Sequence, residues 1–261
     1  MAPGRCTRGR CVRRPRGLRD MAKQRTPAEW LEFLPGTLEQ TLLGYDVSRE
    51  QIASLCEAAA REKFFAVVVN PTHVRFAAER LAEAPVKTVT VVGFPMGANT
   101  KAVKVFETRD ALSRGAEEFD VVVNVSALTH GYYDFAAAEI REVVAAAEGR
   151  PVKAIIECGA LTADLKGVAA ELVVSAGAHF VKTSTGYGPG GATEEDVRLL
   201  RKIVGDAVGI KAAGGIRSYE RALNLIEAGA DRIGTSSGVV IMEGLRYAVK
   251  AGRLGDAVSI A

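Results

Sequence analysis

The regular alternation of short β-branched runs with longer segments of helical periodicity most restricts the fold of this chain. Eight apolar runs recur between residues 37 and 237, with segments long enough for helices between them. Strands that alternate with helices form right-handed βαβ units and a parallel sheet, and eight units close a barrel. The sequence therefore predicts an α/β fold, a single (β/α)8 TIM barrel. The runs cover residues 37–43, 65–70, 87–94, 119–124, 152–159, 179–184, 208–215 and 231–237.

An open doubly wound sheet is the alternative fold. It is disfavoured because eight repeats are present and no GxGxxG motif follows the first predicted strand. The connecting segments 193–205 and 218–230 have the apolar spacing of amphipathic helices. Thr193, followed by Asp196 three residues later, has the spacing of a capping box, and Ser218 is a candidate N-cap.

The first 20 residues differ from the rest of the chain in charge. They contain seven Arg and one Asp, a net charge of +6, whereas the whole chain carries +3, so the remaining residues carry −3. The stretch lacks the apolar segment of a secretory signal. We expect residues 1–26 to form a disordered basic leader, with Met21 as the natural start, or else an arm that contacts nucleic acid or lipid. Residues 27–261 are expected to form the barrel domain, with a short helix or turn over 27–36.

Cysteine, histidine and apolar content argue against several classes of protein. Cys6, Cys11, Cys56 and Cys158 form no CxxC pair, and the three His are not clustered with them. Neither a disulfide framework nor a zinc site is therefore expected, and a reducing, cytoplasmic setting is the simple interpretation. The apolar runs fall far short of the roughly 20 residues that cross a bilayer. We expect no metal, no membrane partner and no nucleic-acid partner for the folded body.

Two lysines close neighbouring predicted strands, and strand ends are where a TIM barrel carries its reactive groups. Lys182 closes the sixth strand and Lys211 closes the seventh. Adjacent strands lie about 4.8 Å apart, so inward-facing ammonium groups about 6 Å apart would repel by roughly 3 kcal/mol at an effective dielectric of about 20. That repulsion lowers a lysine pKa by about two units, and burial lowers it further. Unless both are surface residues, the pair predicts a neutral amine that can form a Schiff base.

A carboxylate inside an apolar strand is the second candidate. Asp120 lies within EFDVVVN, where a buried charge is costly unless it has a partner. Alternation places it on one face with Val122 and Asn124, taken as the inward face. There Asp120 can pair with Lys211 and move protons; the alternative is a strand-edge acid that faces solvent. The other polar residues predicted to close strands are Asn70, Asn124 and Glu157.

Glycine-rich segments follow the last three predicted strands. They read TSTGYGPGG, GGIRS and GTSSG. Glycine lets the backbone approach a ligand, and N–H groups at helix starts favour anions. A phosphate site after strands seven and eight recurs in TIM barrels, and Arg217 would add positive charge unless it is only a surface residue at a helix start. The three segments together predict a phosphate site.

These motifs identify a known family. The segments VKTSTG, IKAAGGIR, GTSSG, VVGFPMGANTKAVKVFET and EFDVVVN resemble the deoxyribose-phosphate aldolase family over about residues 37–250. The resemblance implies a class I aldolase in which Lys182 forms the imine, Lys211 depresses the pKa of Lys182 and relays protons, and Asp120 works with Lys211. By position, the phosphate ligands of the family correspond to Gly186, Gly214, Gly215, Arg217, Ser236 and Ser237.

The chain departs from the family pattern at four places. Glu39 replaces an Asp near the acceptor pocket, Val68 replaces a Cys found in many members, and Tyr187 replaces a lysine that contacts phosphate in some members. The end of the chain, VSIA, lacks a tyrosine that assists proton transfer in some members. We expect none of these differences to touch the two lysines or Asp120, and therefore to affect aldehyde preference and rate rather than reaction type.

The resemblance implies reversible cleavage of 2-deoxy-D-ribose 5-phosphate to D-glyceraldehyde 3-phosphate and acetaldehyde, in deoxyribose catabolism. The imine needs no metal or organic cofactor, and the expected partner is a small phosphosugar. A homodimer or homotetramer is compatible with such a barrel. One alternative is a phosphosugar epimerase or isomerase that uses paired carboxylates or a metal. The other is a non-catalytic phosphate-sensing or RNA-associated barrel that uses the basic leader.

Overall fold

The computed structural model describes residues 25–254, and eight parallel strands within it form a closed barrel in chain order. Closure is made by β8 and β1, whose register pairs Leu38 with Ile233 and Glu39 with Gly234. The prediction of a TIM barrel is confirmed, and the open sheet is excluded. The strands are β1 (Leu38–Leu42), β2 (Ala66–Val69), β3 (Lys87–Val92), β4 (Glu118–Val122), β5 (Val152–Ile155), β6 (Phe180–Lys182), β7 (Gly209–Ala213) and β8 (Arg232–Thr235).

Ten α-helices occur within the described part of the chain; α1 precedes β1, α5 and α6 both come after β4, and one α-helix comes after each other strand. They are α1 (Pro27–Phe33), α2 (Arg49–Glu62), α3 (Val74–Arg80), α4 (Lys101–Ser113), α5 (Val125–Thr129), α6 (Tyr133–Ala146), α7 (Ala163–Ser175), α8 (Glu194–Val204), α9 (Tyr219–Glu227) and α10 (Gly238–Lys250). Between residues 25 and 254, every helix falls short of what a membrane span requires in length and apolar character. The predicted short helix at 27–36 is α1, followed by a 3₁₀ turn at Pro35–Thr37. Residues 1–24 of the predicted leader lie outside the described residues.

The predicted helix starts agree with the structure, with one difference. The Ser218 side chain accepts a hydrogen bond from the backbone N–H of Arg221, and Thr193 accepts one from the N–H of Asp196 at 3.0 Å. The carboxylate of Asp196 accepts a hydrogen bond from Lys166 at 2.6 Å instead of returning to the start of the helix. Only half of the predicted capping box therefore forms, because a lysine on the neighbouring helix competes for the carboxylate.

Several predicted strands extend too far. β5 ends at Ile155 and β7 at Ala213, and the chain then adopts the left-handed conformation at Glu157 (φ 55°) and Gly214 (φ 99°), which cannot continue a strand. Lys211 is consequently the third residue of β7 rather than its last. Glu157 lies beyond β5 rather than closing it. Asn70 and Asn124 likewise follow the last residues of β2 and β4.

The barrel interior is divided into an apolar side and a charged side. The apolar side is a small buried cluster on β2 and β3, with Leu43, Phe65 and Phe94 packed against it. Its members are Ala66, Val68, Val89 and Val91. Charged side chains from β1 and β4–β7 fill the other side, whereas a large apolar core surrounds the strands on the helix side. The charged side chains of the interior thus lie opposite the apolar cluster on β2 and β3.

Candidate active site

Six buried charged side chains meet inside the barrel. Lys182 is 3% exposed and Asp120 is 0% exposed, and the other four are similarly shielded from solvent. Buried charges are tolerated only where they are paired and hydrogen-bonded. Three lysines face three carboxylates, so the cluster is formally neutral when every member is ionised. The members are Glu39, Glu118, Asp120, Lys153, Lys182 and Lys211.

Asp120 is the centre of this cluster. Its Oδ2 accepts hydrogen bonds from the Nζ of Lys182 at 2.8 Å and of Lys211 at 2.6 Å, and its Oδ1 accepts one from Lys153 at 3.1 Å. The strand register explains the convergence, because Lys182 is the Cα partner of Lys211 and Asp120 is the Cα partner of Lys153. The prediction that Asp120 faces inward and pairs with Lys211 is confirmed.

The amine of Lys182 is the group of the cluster best suited to act as a nucleophile. Burial lowers the pKa of Lys182 to about 8, with the carboxylate of Asp120 opposing and the charge of Lys211 reinforcing the shift. A lysine with that pKa is neutral in about one molecule in ten at pH 7. The direction agrees with the sequence prediction, but burial is the largest cause rather than repulsion by Lys211. The two ammonium groups share the Oδ2 atom of Asp120.

Lys153 has the opposite electrostatic environment. Burial opposes its charge, but Asp120, Glu39 and Glu118 together raise the pKa of Lys153 above the usual range. Its Nζ lies 2.7 Å from Glu118 Oε2 and 3.6 Å from Glu39 Oε2. Burial also opposes ionisation of Asp120, yet Lys153, Lys182 and Lys211 hold the pKa of Asp120 well below its ordinary value. In the unliganded site at neutral pH, Lys153 is therefore a cation and Asp120 an anion.

Glu39 contacts one of the two predicted lysines. Its Oε2 accepts a hydrogen bond from Lys211 Nζ, although 172 positions separate the two residues. The expectation that the Glu39 difference stays away from the lysines is wrong, because β1 pairs with β8 and the Glu39 side chain reaches past β8 to Lys211 on β7. Gly234 on β8 makes room for this pair, since a Cβ there would lie 3.0 Å from Lys211 Cε. Lys211 is thereby held between Glu39 and Asp120.

The three glycine-rich loops are packed together at the mouth. The N–H of Ala192, after β6, donates to the carbonyl of Gly214, after β7, at 3.1 Å. A Cβ at Gly191 would lie 2.6 Å from that carbonyl oxygen, so only glycine permits this approach. Gly186, Gly214 and Gly215 have φ of 86°, 99° and 75°, the left-handed region that glycine adopts freely. These residues form one continuous rim, which we call the glycine rim.

The loop after β8 joins the same rim. Thr235 Oγ1 donates to the carbonyl of Ile216 at 2.6 Å and accepts from the N–H of Ser237 at 2.9 Å. Ser237 is the N-cap residue of α10, while Ser236 and Arg217 are exposed. The structure therefore brings all three predicted phosphate loops together, and the ligand role of each residue stays a prediction.

Two residues of the cluster, Lys153 and Glu118, are absent from the sequence prediction. The signal was available: Glu118 alternates with Asp120 in EFDVVVN, and Lys153 is a charge in the apolar run VKAIIE. Conversely, Glu157 is on the inward side by alternation but does not join the cluster. Its carboxylate accepts hydrogen bonds from the N–H and Oγ1 of Thr185 instead.

Cysteines and metal ligands have no part in this site. Burial raises the pKa of Cys56 to about 11 and of Cys158 to about 12, so both thiols are unreactive. Across residues 25–254, His, Cys, Asp and Glu side chains form no group of three arranged to hold a metal ion. The chain end that lacks a tyrosine lies outside the described residues.

Known proteins resemble this chain in both fold and sequence. The sequence model of the DeoC/LacD family aldolase matches residues 34–244. The chain belongs to the DeoC/LacD aldolase family. It is therefore a lyase, and the alternative of an epimerase or isomerase is not supported.

Individual relatives extend this comparison. A deoxyribose-phosphate aldolase of Thermococcus gammatolerans is 54% identical over 215 residues, which cover 81% of this chain and 96% of the relative. One of Dictyoglomus turgidum is 51% identical, covering 80% of this chain and 95% of the relative. The tetrameric deoxyribose phosphate aldolase of Aeropyrum pernix superposes with a TM-score of 0.79 at 32% identity, covering 83% of this chain and 92% of that one.

Proposed function

We propose that this aldolase reversibly cleaves 2-deoxy-D-ribose 5-phosphate to D-glyceraldehyde 3-phosphate and acetaldehyde. The observation that carries the assignment is the buried amine of Lys182, which combines a lowered pKa of about 8, a position at the end of its strand and a second ammonium group, that of Lys211, on the same Asp120 oxygen. The relatives named deoxyribose-phosphate aldolase support the substrate.

In this proposal, the neutral amine of Lys182 attacks the C1 aldehyde of the open-chain sugar. The resulting carbinolamine loses water and becomes an iminium ion, which is cationic. Acetaldehyde contains two carbons, so the bond that breaks is C2–C3. Its electron pair moves toward the iminium nitrogen and leaves a neutral enamine, so the imine itself supplies the electron sink and the chemistry calls for no added cofactor.

Asp120 and Lys211 are the proposed proton-transfer groups. The C3 hydroxyl must lose its proton as C2–C3 breaks, and C2 of the enamine must gain one before acetaldehyde is released. Asp120 Oδ2 lies 2.8 Å from Lys182 Nζ and 2.6 Å from Lys211 Nζ, within reach of a group bound to Lys182. Water then adds to the final iminium, and Lys182 is regenerated as the amine.

The glycine rim is the proposed phosphate site. Backbone N–H groups of left-handed glycines and of the α10 N-terminus favour an anion. Gly186, Gly214 and Gly215 line this rim with Ser237 at the start of the helix, and Arg217 and Ser236 complete the proposed ligand set. The phosphate would thus be held at the mouth while the aldehyde end reaches the lysines inside.

Borohydride trapping tests the nucleophile. The enzyme is incubated with acetaldehyde, reduced with sodium borohydride, digested and mapped by mass spectrometry. We expect an N-ethyl group on Lys182 and none in Lys182→Ala. Labelling of Lys211 or Lys153 instead would overturn the assignment of roles.

Assembly and location complete the proposal. We propose a homo-oligomer, since the related enzyme of Aeropyrum pernix is described as tetrameric; light scattering in solution tests this. Buried free Cys56 and Cys158 agree with a reducing, cytoplasmic location, which cell fractionation can examine.

A further inference from the structure

Tyr187 spans the mouth of the barrel. It belongs to the loop after β6, yet its hydroxyl donates to the carbonyl of Leu43, just after β1, at 2.9 Å. Its ring also meets that of Phe94, after β3, edge to face with centroids 5.4 Å apart. In a ring of eight strands these contacts cross the opening. We call the side chain of Tyr187, together with its contacts to Leu43 and Phe94, the aromatic bridge.

The loop that carries Tyr187 is anchored by hydrogen bonds that involve Thr185 and the buried Glu157. Thr185 Oγ1 donates to Glu157 Oε2 at 2.5 Å and accepts from the N–H groups of Tyr187 at 3.0 Å and Gly188 at 3.2 Å. A Cβ at Gly188 would lie 2.6 Å from the carboxyl carbon of Glu157, so glycine is needed there. The buried carboxylate of Glu157 therefore fixes the backbone from which the tyrosine extends.

The position of the aromatic bridge divides the mouth into two openings. Because the strands follow one another in chain order around the barrel, a link from β6 to β1 and β3 leaves β7 and β8 on one side and β4 and β5 on the other. The glycine rim, with Gly214, Gly215 and Ser237, lies on the β7–β8 side. A phosphorylated chain attached to Lys182 must then pass between this rim and the tyrosine ring.

We infer that Tyr187 is a specificity-determining residue whose ring limits the bulk of the aldehyde that can stand between Lys182 and the glycine rim. This inference rests on the proposed function, since it takes Lys182 as the point of attachment. A slender, linear phosphorylated aldehyde passes the aromatic bridge, whereas a branched or aromatic aldehyde meets the tyrosine ring. In the sequence, Tyr187 stands where some family members have a lysine that contacts phosphate. In this fold, its ring is a steric barrier at the barrel mouth.

The test compares acceptor aldehydes in the synthesis direction, with acetaldehyde as the donor. The kcat/KM for a bulky acceptor such as benzaldehyde is divided by that for D-glyceraldehyde 3-phosphate. Tyr187→Ala should raise this ratio on the order of 10-fold, the scale at which one apolar wall discriminates. Tyr187→Phe keeps the ring against Phe94 and should stay within about threefold of the wild type, since it loses only one exposed hydrogen bond. A phenylalanine variant that behaves like the alanine variant would overturn the role of the ring.

Controls separate this inference from the proposed function. Tyr247→Ala removes an exposed tyrosine on α10, 64% exposed, and should leave the ratio unchanged. Trapping of Lys182 with acetaldehyde alone should succeed in the wild type and in Tyr187→Ala, because that donor is small. Absence of trapping in the wild type would overturn the proposed function, whereas normal trapping with an unchanged acceptor ratio in Tyr187→Ala would overturn the inference about Tyr187.

Discussion

Two buried lysines of this protein, Lys104 and Lys182, share a residue type and a direction of pKa shift but differ in their acceptors. Lys104 on α4 donates to the carbonyls of Gly97 at 2.8 Å and Val122 at 2.7 Å, and pairs with Glu139 at 2.8 Å. Lys182 donates to Oδ2 of Asp120, the same oxygen that accepts a hydrogen bond from Lys211. Burial lowers the pKa of both lysines, with the nearby carboxylate opposing.

The difference teaches that burial alone does not make a lysine reactive. All three protons of the Lys104 ammonium have acceptors, so this group ties the loop after β3 to β4 and α6. Lys182 has one acceptor among the described residues and a second cation beside it, so losing a proton disrupts little. The number of acceptors around Nζ separates a structural lysine from a candidate nucleophile.

The largest expected effect is on turnover in Lys182→Met. The kcat should fall by a factor on the order of 10⁵ or more, as for loss of a covalent nucleophile, while the free energy of unfolding changes by at most about 1 kcal/mol because Asp120 keeps Lys153 and Lys211. Steady-state kinetics and urea unfolding measure the two quantities. Retained turnover, or a loss of stability that matches the loss of activity, would contradict the assignment.

A pH titration of stability sharpens the same comparison. The folded-state pKa of Lys182 is lowered from 10.5 to about 8, so the unfolded chain binds more protons between those values. The free energy of unfolding should therefore gain a rising contribution from about pH 8 to 10.5. Unfolding measured across this range should show a smaller rise in Lys182→Met, and equal slopes in both proteins would count against the shift.

Lys104→Met should reduce the free energy of unfolding, the converse of the loss of turnover expected for Lys182→Met. It leaves Glu139 buried without its cation, which costs roughly 3–5 kcal/mol of unfolding free energy. Urea unfolding measures the loss, and the double variant Lys104→Met/Glu139→Leu should recover most of it because no unpaired charge remains. A loss below about 1 kcal/mol would show that Lys104 is not the structural member of the comparison.

A smaller effect is expected on the pH profile of Lys211→Leu. The charge of Lys211 lowers the pKa of Lys182, so its removal should move the acid limb of the kcat/KM profile toward alkaline pH by about one unit. Lys202→Leu, an exposed lysine on α8, is the matched control. An acid limb that stays in place would exclude Lys211 from tuning the nucleophile.

The smallest effect is expected for Glu39→Gln. The charge of Glu39 raises the pKa of Lys182, though less than that of Asp120 does, so the acid limb should move to lower pH by roughly half a unit or less. The two variants should therefore shift the profile in opposite directions. A shift to alkaline pH in Glu39→Gln would mean that Glu39 acts through the position of Lys211 rather than through its own charge.

Much of the fold could be read from the sequence, because alternation of strand and helix segments is a local signal that each segment carries by itself. The lysine pair and Asp120 were predictable for a related reason: a charge in an apolar strand needs a partner, and adjacent strands supply it. Lys153 could have been found by the same argument. The ends of the strands were predicted less accurately, because a left-handed residue such as Glu157 ends the extended backbone without any break in the predicted apolar run.

The sequence by itself determined the eight-unit barrel, the inward carboxylate and the two neighbouring lysines. Only the tertiary structure decided that Glu39 meets Lys211 and that Tyr187 reaches Leu43. Both contacts join residues more than 140 positions apart. They exist because the closed barrel lets side chains meet across its interior and its mouth, a geometry that no local pattern of residues encodes.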